Sequence, residues 1–426
     1  MDFFNIKERG SSVKTEILAG VTVFFMTCYI FALNPAVLSQ AGIPAAAAFA
    51  ATGIASVLSM VLMGAWANIP LVMSGGMGLN AFLVYTVCLS MGYPYQTGLA
   101  ALLIAGVLFC LLSFFKVRDK IVDTLPPSLK SAVSAGIGLF IAFIGAKGCG
   151  WVAADKATFI ALGRFDTPEG VTALIGLIIT LAMQARGMRG AFLTGVLTAT
   201  VAGVFLGTTV VPENFTLVAL PSLPLFCDFS LRGVSGIDLF FICFTFLFLN
   251  VFDTLGTLLA VCSQGKLLQK DGSVPKAGRA FFCAGAATAI GAVLGTTVTG
   301  FVESVSMVIE GAKTGLSTLV AAALFAVALF FSPLFLAVPF CAVSPVLVVI
   351  GFFMMSSLKN VDFSDVSEGF PAFACVAGMA FTFSIVNGIV FGLLAHVFCC
   401  TAAGRARQIG WCGWCLSALC LLKFFL

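Results

Sequence analysis

Two carboxylic acids lie inside apolar segments of the sequence, where a charged side chain is costly. Asp253 lies in the apolar segment centred near residue 248, and Glu303 follows a glycine- and threonine-rich stretch at 295–300. An acid at the centre of a membrane helix costs about 2.5–3.5 kcal/mol on insertion scales. Two carboxyls that share a small cavity favour protonation of one of them. We interpret the pair as groups that bind a solute and exchange protons; the alternative for each acid alone is a buried, hydrogen-bonded carboxylate without a transport role.

Two apolar segments, 69–82 and 294–306, are interrupted in a similar way. The first has three glycines within residues 75–78, and each glycine costs about 1 kcal/mol in a helix relative to alanine. The second has β-branched residues throughout 296–299, which favour extended backbone. We predict short extended pieces that pair with each other, followed by half-helices whose positive ends point at the membrane midplane. Such interruptions indicate a substrate site; glycine-mediated helix packing is the alternative.

The residue types do not predict an enzyme. A single histidine, His396, cannot build a cluster of metal ligands, and no Ser-His-Asp set is evident. The Cys-x-x-Cys motif at 412–415 lies in an apolar C-terminal stretch rather than in the βαβ context of a redox site. We therefore predict no catalytic residue, no metal and no cofactor.

Composition predicts a membrane protein. The 426 residues are 60% hydrophobic and 9% charged, with a mean hydropathy of +1.13, whereas soluble domains carry about 25% charged residues. The apolar runs are continuous and about 20 residues long, which favours helices that span a bilayer rather than barrel strands. We predict an all-α polytopic membrane protein with about fourteen spans, centred near residues 27, 56, 80, 105, 138, 178, 201, 248, 287, 304, 326, 350, 378 and 396. Residues 411–426 either span the bilayer or lie in its interface.

Basic residues predict the orientation. They cluster before span 1 and in alternate loops, whereas the loops at 148–168 and 212–236 contain few. The positive-inside rule then places both termini in the cytoplasm of a multi-pass protein of the cell membrane. The net charge of +4 reflects these loops rather than a nucleic-acid surface. The clusters include Lys7, Arg9, Lys14, Lys116, Arg118, Lys120, Lys130, Arg186, Arg189, Lys266, Lys270, Lys276, Arg279, Lys313, Lys359, Arg405 and Arg407.

A repeat relates residues 48–62 to residues 280–294. Six identities recur at an offset of 232, among them Gly53 with Gly285 and Phe49 with Phe281. The offset places span 2 over span 9, and because seven spans is an odd number the second copy would run inverted through the membrane. Inverted repeats are common in secondary transporters; chance matching of small apolar residues is the alternative.

An ordered set of motifs resembles the AzgA-like purine permeases, a branch of the nucleobase–ascorbate (uracil/xanthine permease) transporters. The motifs cover nearly the whole chain and lie at residues 20–30, 34–35, 76–81, 127–145, 252–258, 295–304 and 314–316. The resemblance implies fourteen spans in two inverted seven-span repeats. It also implies a core domain at 1–115 and 236–340 (spans 1–4 and 8–11) and a gate domain at 116–235 and 341–426 (spans 5–7 and 12–14 with the apolar tail).

The same resemblance implies proton symport, dimers formed through the gate, and roles for individual residues. Asp253 and Glu303 would be the substrate-facing carboxylates, and Asn80 the polar residue of span 3. The chain departs from the family at Asn250, one turn before Asp253, where an acid is common, and at Gly285, where relatives often carry Asp. An amide can donate a hydrogen bond, whereas a carboxylate only accepts.

We hypothesise an importer of purine nucleobases (hypoxanthine/guanine or adenine) that works by proton symport and alternating access of core against gate. Asp253 and Glu303 would accept N–H groups of the base and couple the proton, with backbone N–H groups near Gly78 and Gly300 as donors. The remaining candidates are Asn80, Asn250 and Thr299 as polar contacts, and Phe24, Phe82 or Phe252 as stacking rings. The alternatives are a uracil/xanthine permease, or an anion transporter or channel on the same fold. An anion site would require a basic group at the midplane.

Overall fold

The protein is described by a computed structural model that covers residues 4–114, 127–155, 159–188, 190–209, 216–267 and 274–406, and six isolated positions beyond them (409, 413, 414, 417, 418 and 421). Several sequence predictions lie outside the described residues. These are the domain boundary at 115/116, the basic residues at 116, 118, 120, 189, 270 and 407, the cysteines of the motif at 412–415, and most of the stretch 411–426.

Helices make up most of the described chain. They are α1 (Val13–Thr27), α2 (Ile30–Leu38), α3 (Ala45–Leu62), α4 (Met77–Ala81), α5 (Tyr95–Phe114), α6 (Pro127–Gly148), α7 (Pro168–Ala185), α8 (Ala191–Leu206), α9 (Gly236–Gln264), α10 (Ala277–Leu294), α11 (Val305–Ile309), α12 (Gly315–Ala328), α13 (Ser332–Leu336), α14 (Phe340–Met355), α15 (Val366–Thr382) and α16 (Ile385–Ala402). The π-helical turns Met63–Ala67 and Phe82–Ser90 extend α3 and α4.

Within the described ranges, four short strands form two antiparallel pairs. They are β1 (Met73–Ser74), β2 (Val152–Asp155), β3 (Phe159–Leu162) and β4 (Thr299–Gly300). β1 pairs with β4, and β2 pairs with β3. The β2–β3 hairpin lies in the segment 148–168, where the sequence predicts only a loop. Its strands are short and largely exposed, so they carry no buried alternating face that the sequence could reveal.

Ten helices among the described residues are long and apolar enough to cross a membrane, and three shorter apolar helices lie at Met77–Ser90, Ala191–Leu206 and Val366–Thr382. The predicted helical, polytopic membrane class is therefore confirmed. Several helices begin at side-chain caps, which satisfy backbone N–H groups that have no helical partner. Ser12 caps α1, Thr167 caps α7 ahead of a proline, and Ser384 caps α16.

The helices pack in two groups. In the first, α1 and α3 contact α12, while α5 contacts α9 and α10. In the second, α6 contacts α14 and α15, and α7 contacts α8 and α14. Glycines allow the closest helix crossings. A Cβ added to Gly285 of α10 would lie 2.7 Å from the backbone nitrogen of Cys110 in α5, and one added to Gly138 of α6 would lie 2.7 Å from the carbonyl oxygen of Gly351 in α14.

Candidate functional site

The two interrupted segments meet as a two-residue antiparallel ladder. Met73 pairs with Gly300 and Ser74 pairs with Thr299, and all four residues are buried. The pairing continues at its edge, since the Phe301 N–H donates to the Val72 carbonyl over 2.9 Å. The predicted extended pieces are therefore present and satisfy each other's backbone groups, as irregular backbone at membrane depth requires. Because the strands are antiparallel, α4 and the turn at 302–304 leave the ladder in opposite directions.

Asp253 lies beside the ladder. The Thr299 hydroxyl donates to Oδ2 of Asp253 over 2.7 Å, which connects β4 to the middle of α9. The Asp253 side chain is solvent-exposed, although Thr299 and the neighbouring Thr254 are buried. A carboxylate accepts several hydrogen bonds through its two oxygens. Asp253 is thus anchored by one hydroxyl and retains acceptor capacity on its exposed side.

Glu303 is held by a second hydroxyl. The Tyr29 phenol, in the break between α1 and α2, donates to Oε1 of Glu303 over 3.1 Å. Tyr29 is buried, and its ring packs against Phe192 with centroids 5.2 Å apart. Glu303 is half-buried and lies close enough to Asp253 for the two acids to interact electrostatically. The structure therefore brings together the two acids that the sequence singled out.

The third predicted polar contact, Asn80, faces the interior of the protein instead of the exposed side. It is fully buried and donates to Oδ1 of Asn34, while its own Oδ1 accepts from the Thr297 hydroxyl over 2.7 Å. Asn34 in turn donates to Thr52 over 2.5 Å and to Thr296 over 2.9 Å. These bonds tie α2, α3 and α4 to the chain just before β4. Asn80 thus fixes the half-helix in place.

Asn250 is also turned inward. Its amide donates to the Thr288 hydroxyl of α10, and both residues are buried. The Thr288 oxygen lies 3.1 Å from the carbonyl oxygen of Val298, next to β4. Asn250 and Asp253 are one turn apart on α9, but Asn250 points to α10 and only Asp253 is exposed. An amide at 250 can donate to Thr288 in a way that a carboxylate cannot.

The two candidate glycines differ in their surroundings. Gly78 is half-buried at the start of α4, and an added Cβ would meet only the Ile137 side chain of α6, at 3.6 Å. Gly300 is buried within the ladder beside Leu71 and Thr257. Gly78 is thus the glycine with more space around its Cα, at the start of α4, and a helix N-terminus attracts acceptor atoms.

The candidate stacking rings also differ. Phe82 is fully buried against Phe246 with centroids 4.7 Å apart, which excludes it as a stacking surface. Phe24 is half-buried and meets Phe325 edge-on, with centroids 5.7 Å apart. Phe252 is half-buried next to Asp253. Phe252 is therefore the candidate ring closest in sequence to an exposed acid.

The face of α9 that carries Asp253 is open on one side only. One turn later Gly256 is exposed, with nothing within 4 Å of an added Cβ, and Ser263 is exposed further along the same helix. Before Asp253, Leu249 and Phe246 on that side are buried. The exposed residues next to Asp253 thus lie on the C-terminal half of α9, and its neighbours on the N-terminal side of that face are buried.

Sequence reasoning missed Tyr29, Asn34 and Thr297. The sequence does predict neutral polar contacts at Asn80, Asn250 and Thr299, but helical spacing does not show which distant residues bond to them or to the acids. Asn34 precedes Pro35 in an otherwise apolar run, and that pattern could have marked it. Within the described residues, no group of three His, Cys, Asp or Glu side chains is arranged to hold a metal ion.

The known proteins that are similar in sequence to this chain are named as permeases. A family model described as "Permease family" (Xan_ur_permease) matches residues 14–391. A protein named as a permease from Methanocaldococcus jannaschii is 37% identical, over 99% of this chain and 97% of its own length. The guanine/hypoxanthine permease PbuO of Bacillus subtilis is 37% identical (95% and 96%), and the adenine permease AdeP of Escherichia coli is 32% identical (99% and 94%).

Two solved structures share the fold. The transmembrane domain of the cyanobacterial bicarbonate transporter BicA superposes with a TM-score of 0.64 at 15% identity, covering 90% of this chain and 97% of that one. The murine Solute Carrier 26 family member A9 anion transporter, in its inward-facing state, gives a TM-score of 0.62 at 13% identity, covering 91% and 69%. At such identities the likeness concerns the fold alone.

Proposed function

The chain belongs to the xanthine/uracil permease family, within its AzgA-like purine branch, and on that premise we propose that it imports purine nucleobases by proton symport. It is a transporter and not an enzyme. Relatives that match nearly its whole length are named as guanine/hypoxanthine and adenine permeases. The proposed substrates are hypoxanthine, guanine or adenine.

One observation carries the proposal: Asp253 and Glu303 lie together beside the β1–β4 ladder, each held by one hydroxyl and each partly accessible. A purine has N–H donors along its edge, and two carboxylates beside the ladder can accept them. Ring nitrogens or a carbonyl oxygen of the base would accept from backbone N–H groups at the start of α4. Phe252 or Phe24 would cover the ring face.

Proton coupling follows from the same pair. A site with two ionised carboxylates does not move cheaply through a low-dielectric path. Uptake of one proton, shared between Asp253 and Glu303, would reduce that charge and permit the loaded site to move. In this proposal Asn80 and Asn250 hold the two halves of the site and do not touch the base, because their amides are buried and bonded to protein.

In the proposed transport cycle, a core domain moves against a gate domain. The first helix group would be the core and the second the gate, through which a homodimer would form. Fourteen spans in two inverted repeats would arise if the three shorter apolar helices and the broken segment 294–311 are counted with the ten long ones. Packing of the repeated glycines supports this symmetry: Gly285 of span 9 lies against span 4, and Gly53 of span 2 lies against Leu329 after span 11.

The proposed orientation has both termini in the cytoplasm of a cell-membrane protein. α9 then runs inward, and its exposed C-terminal half leads from Asp253 to the cytoplasm. The described conformation would correspond to a site open to the cytoplasm.

An anion transporter is the second candidate, since the solved structures with this fold transport bicarbonate or other anions according to their titles. Two adjacent carboxylates would repel an anion at the place where it would bind. The full-length relatives named for purines also favour the first candidate.

Uptake of radiolabelled hypoxanthine into proteoliposomes tests the proposal. Glu303→Gln and Asp253→Asn should each lower uptake at least about tenfold, as loss of a charge-assisted hydrogen bond predicts. Asp166→Asn makes the same chemical change at an exposed loop acid paired with Arg164 and should transport normally. Unlabelled guanine and adenine should compete, whereas sulfate and bicarbonate should not. Wild-type uptake by Glu303→Gln with its pH dependence intact would refute the assignment.

A further inference from the structure

Helix α6 carries a lysine near each end, and each lysine lies over a phenylalanine ring. The ammonium of Lys130, in the first turn, is 5.6 Å from the centroid of Phe252 on α9. The ammonium of Lys147, in the last turn, is 5.5 Å from the centroid of Phe383, which follows α15. The geometry of the two contacts is similar, but Lys147 stays within its own helix group, whereas Lys130 reaches into the group that carries the acids.

Two side chains lie against the half-buried Phe252 ring. Phe248, one turn earlier on α9, lies with its ring centroid 4.4 Å away and tilted by 53°. Lys130 covers the ring from the side of α6. A base that stacked on the face of Phe252 that Lys130 covers would have to displace the ammonium.

The position of α6 makes such competition possible. Ile137, seven residues after Lys130, lies against Gly78 at the start of α4. One helix of the second group thus runs past both the half-helix and the ring that flank the exposed Asp253. Lys130 is half-buried, with a long and flexible side chain that can leave the ring and remain near water.

We propose that Lys130 is a positioning residue that acts through Phe252: its ammonium covers the ring when the site is empty, and the base must displace it. Lys130 therefore lowers the affinity of the cytoplasm-facing site and promotes release of the base. The proposal rests on the proposed purine transport. The Lys130–Phe252 contact joins the two helix groups, so it must break when the core moves against the gate. The Lys147–Phe383 contact lies within one group and does not have to break.

Equilibrium binding of radiolabelled hypoxanthine to the purified full-length protein in nanodiscs provides the test. Lys130→Met should lower the Kd about two- to fivefold, the range expected when a partly exposed cation–π competitor is removed. Lys130→Arg keeps a cation over the ring and should bind like the wild type. Lys147→Met makes the matched change at the other end of α6 and should leave the Kd unchanged.

A double-mutant cycle shows whether the effect passes through Phe252. In a Phe252→Leu background, Lys130→Met should no longer lower the Kd. Phe252→Trp gives a readout without substrate, because its fluorescence should change when Lys130→Met or Lys130→Gln uncovers the ring. Addition of hypoxanthine to Phe252→Trp should produce a change in the same direction.

The outcomes separate this inference from the proposed function. A wild-type protein that binds no purine would overturn both. A wild-type protein that binds hypoxanthine, with a Lys130→Met variant that binds equally well or more weakly, would overturn the role of Lys130 alone. If Phe252→Trp fluorescence is unchanged in both Lys130 variants, the role of Lys130 is overturned as well, whatever Kd the variants show.

Discussion

The hydroxyl of Thr299 donates to the carboxylate of Asp253 over 2.7 Å, and Thr299 is at the same time the ladder partner of Ser74. One residue therefore links the acid on α9 to both interrupted segments. Ser74 is itself fixed, since its hydroxyl lies 2.7 Å from that of Ser56 on α3. The orientation of Asp253 thus depends on pairing between two segments that are more than two hundred residues apart.

Thr299→Val tests this link. Valine keeps the shape and the extended preference of threonine but cannot donate to Asp253, so hypoxanthine binding should weaken about three- to tenfold. Thr299→Ser retains the hydroxyl and should bind close to the wild type. The measurement is the Kd in nanodiscs together with the melting temperature. Equal Kd values for the valine and serine variants would show that the hydroxyl does not hold the acid in its binding orientation.

Asn80→Asp tests whether the buried amide is structural. The change removes the donor to Asn34 and buries a carboxylate, which should lower stability by about 1–3 kcal/mol. The melting temperature of the purified protein should fall, while the fraction that remains folded should bind hypoxanthine nearly normally. Asn360→Asp makes the same change at an exposed position and should be neutral. Lost binding at an unchanged melting temperature would place Asn80 in contact with the base.

The sequence predicted the acids and the interruptions because both violate a local rule. Glycine and β-branched residues disfavour helix, and acids are costly in apolar segments, so 75–78, 296–299, Asp253 and Glu303 could all be identified one by one. The directions of Asn80 and Asn250 could not be predicted, because helical spacing places a residue on a face and does not say what packs there. Asn250 shares a face with Asp253 but meets Thr288. Tyr29 was missed because its partner, Glu303, is distant in sequence.

Gly285→Ala tests the crossing of α5 and α10. An added Cβ would lie 2.7 Å from the backbone nitrogen of Cys110 and 3.1 Å from the carbonyl oxygen of Gly106. Neither atom can move without shifting a helix, so the variant should lose about 1–3 kcal/mol of stability. Gly256→Ala is the control, because its Cβ would meet nothing within 4 Å and alanine favours helix. A melting temperature for Gly285→Ala at or above that of the wild type would contradict the close crossing.

Asp365 gives a pH-dependent contact outside the spanning segments. It caps α15, and hydrogen bonds from Ser367 together with the Arg405 guanidinium lower the pKa of its carboxyl to about 2. Because the folded pKa is below the ordinary value of 3.8, the contact stabilises the protein above pH 4 and is lost as the pH falls towards 2. Asp365→Asn should lower the melting temperature slightly at pH 5–7, and this difference should shrink below pH 4. A difference that grows on acidification would contradict the assigned cause.

Tyr85 and Phe383 meet in an aromatic contact between the extension of α4 and the segment after α15. Tyr85, in the π-helical extension of α4, donates to Gln40 over 3.0 Å, and its ring is 6.0 Å from Phe383 and 6.3 Å from Phe140. Phe383 adopts a positive φ of 51° between α15 and α16, a conformation that is uncommon for a bulky residue. In the proposed orientation these rings join core and gate on the extracellular side, so they should close the outer path in this conformation.

Phe383→Gly tests that closure, because glycine accepts the positive φ while removing the ring. Without the ring, the buried segment 82–87 should open more often towards the outside, and its backbone deuterium uptake in nanodiscs should rise. Phe381→Gly removes an exposed ring two residues earlier and should leave exchange in that segment unchanged. Exchange at 82–87 that is equal in Phe383→Gly and the wild type would show that other contacts hold the outer path closed.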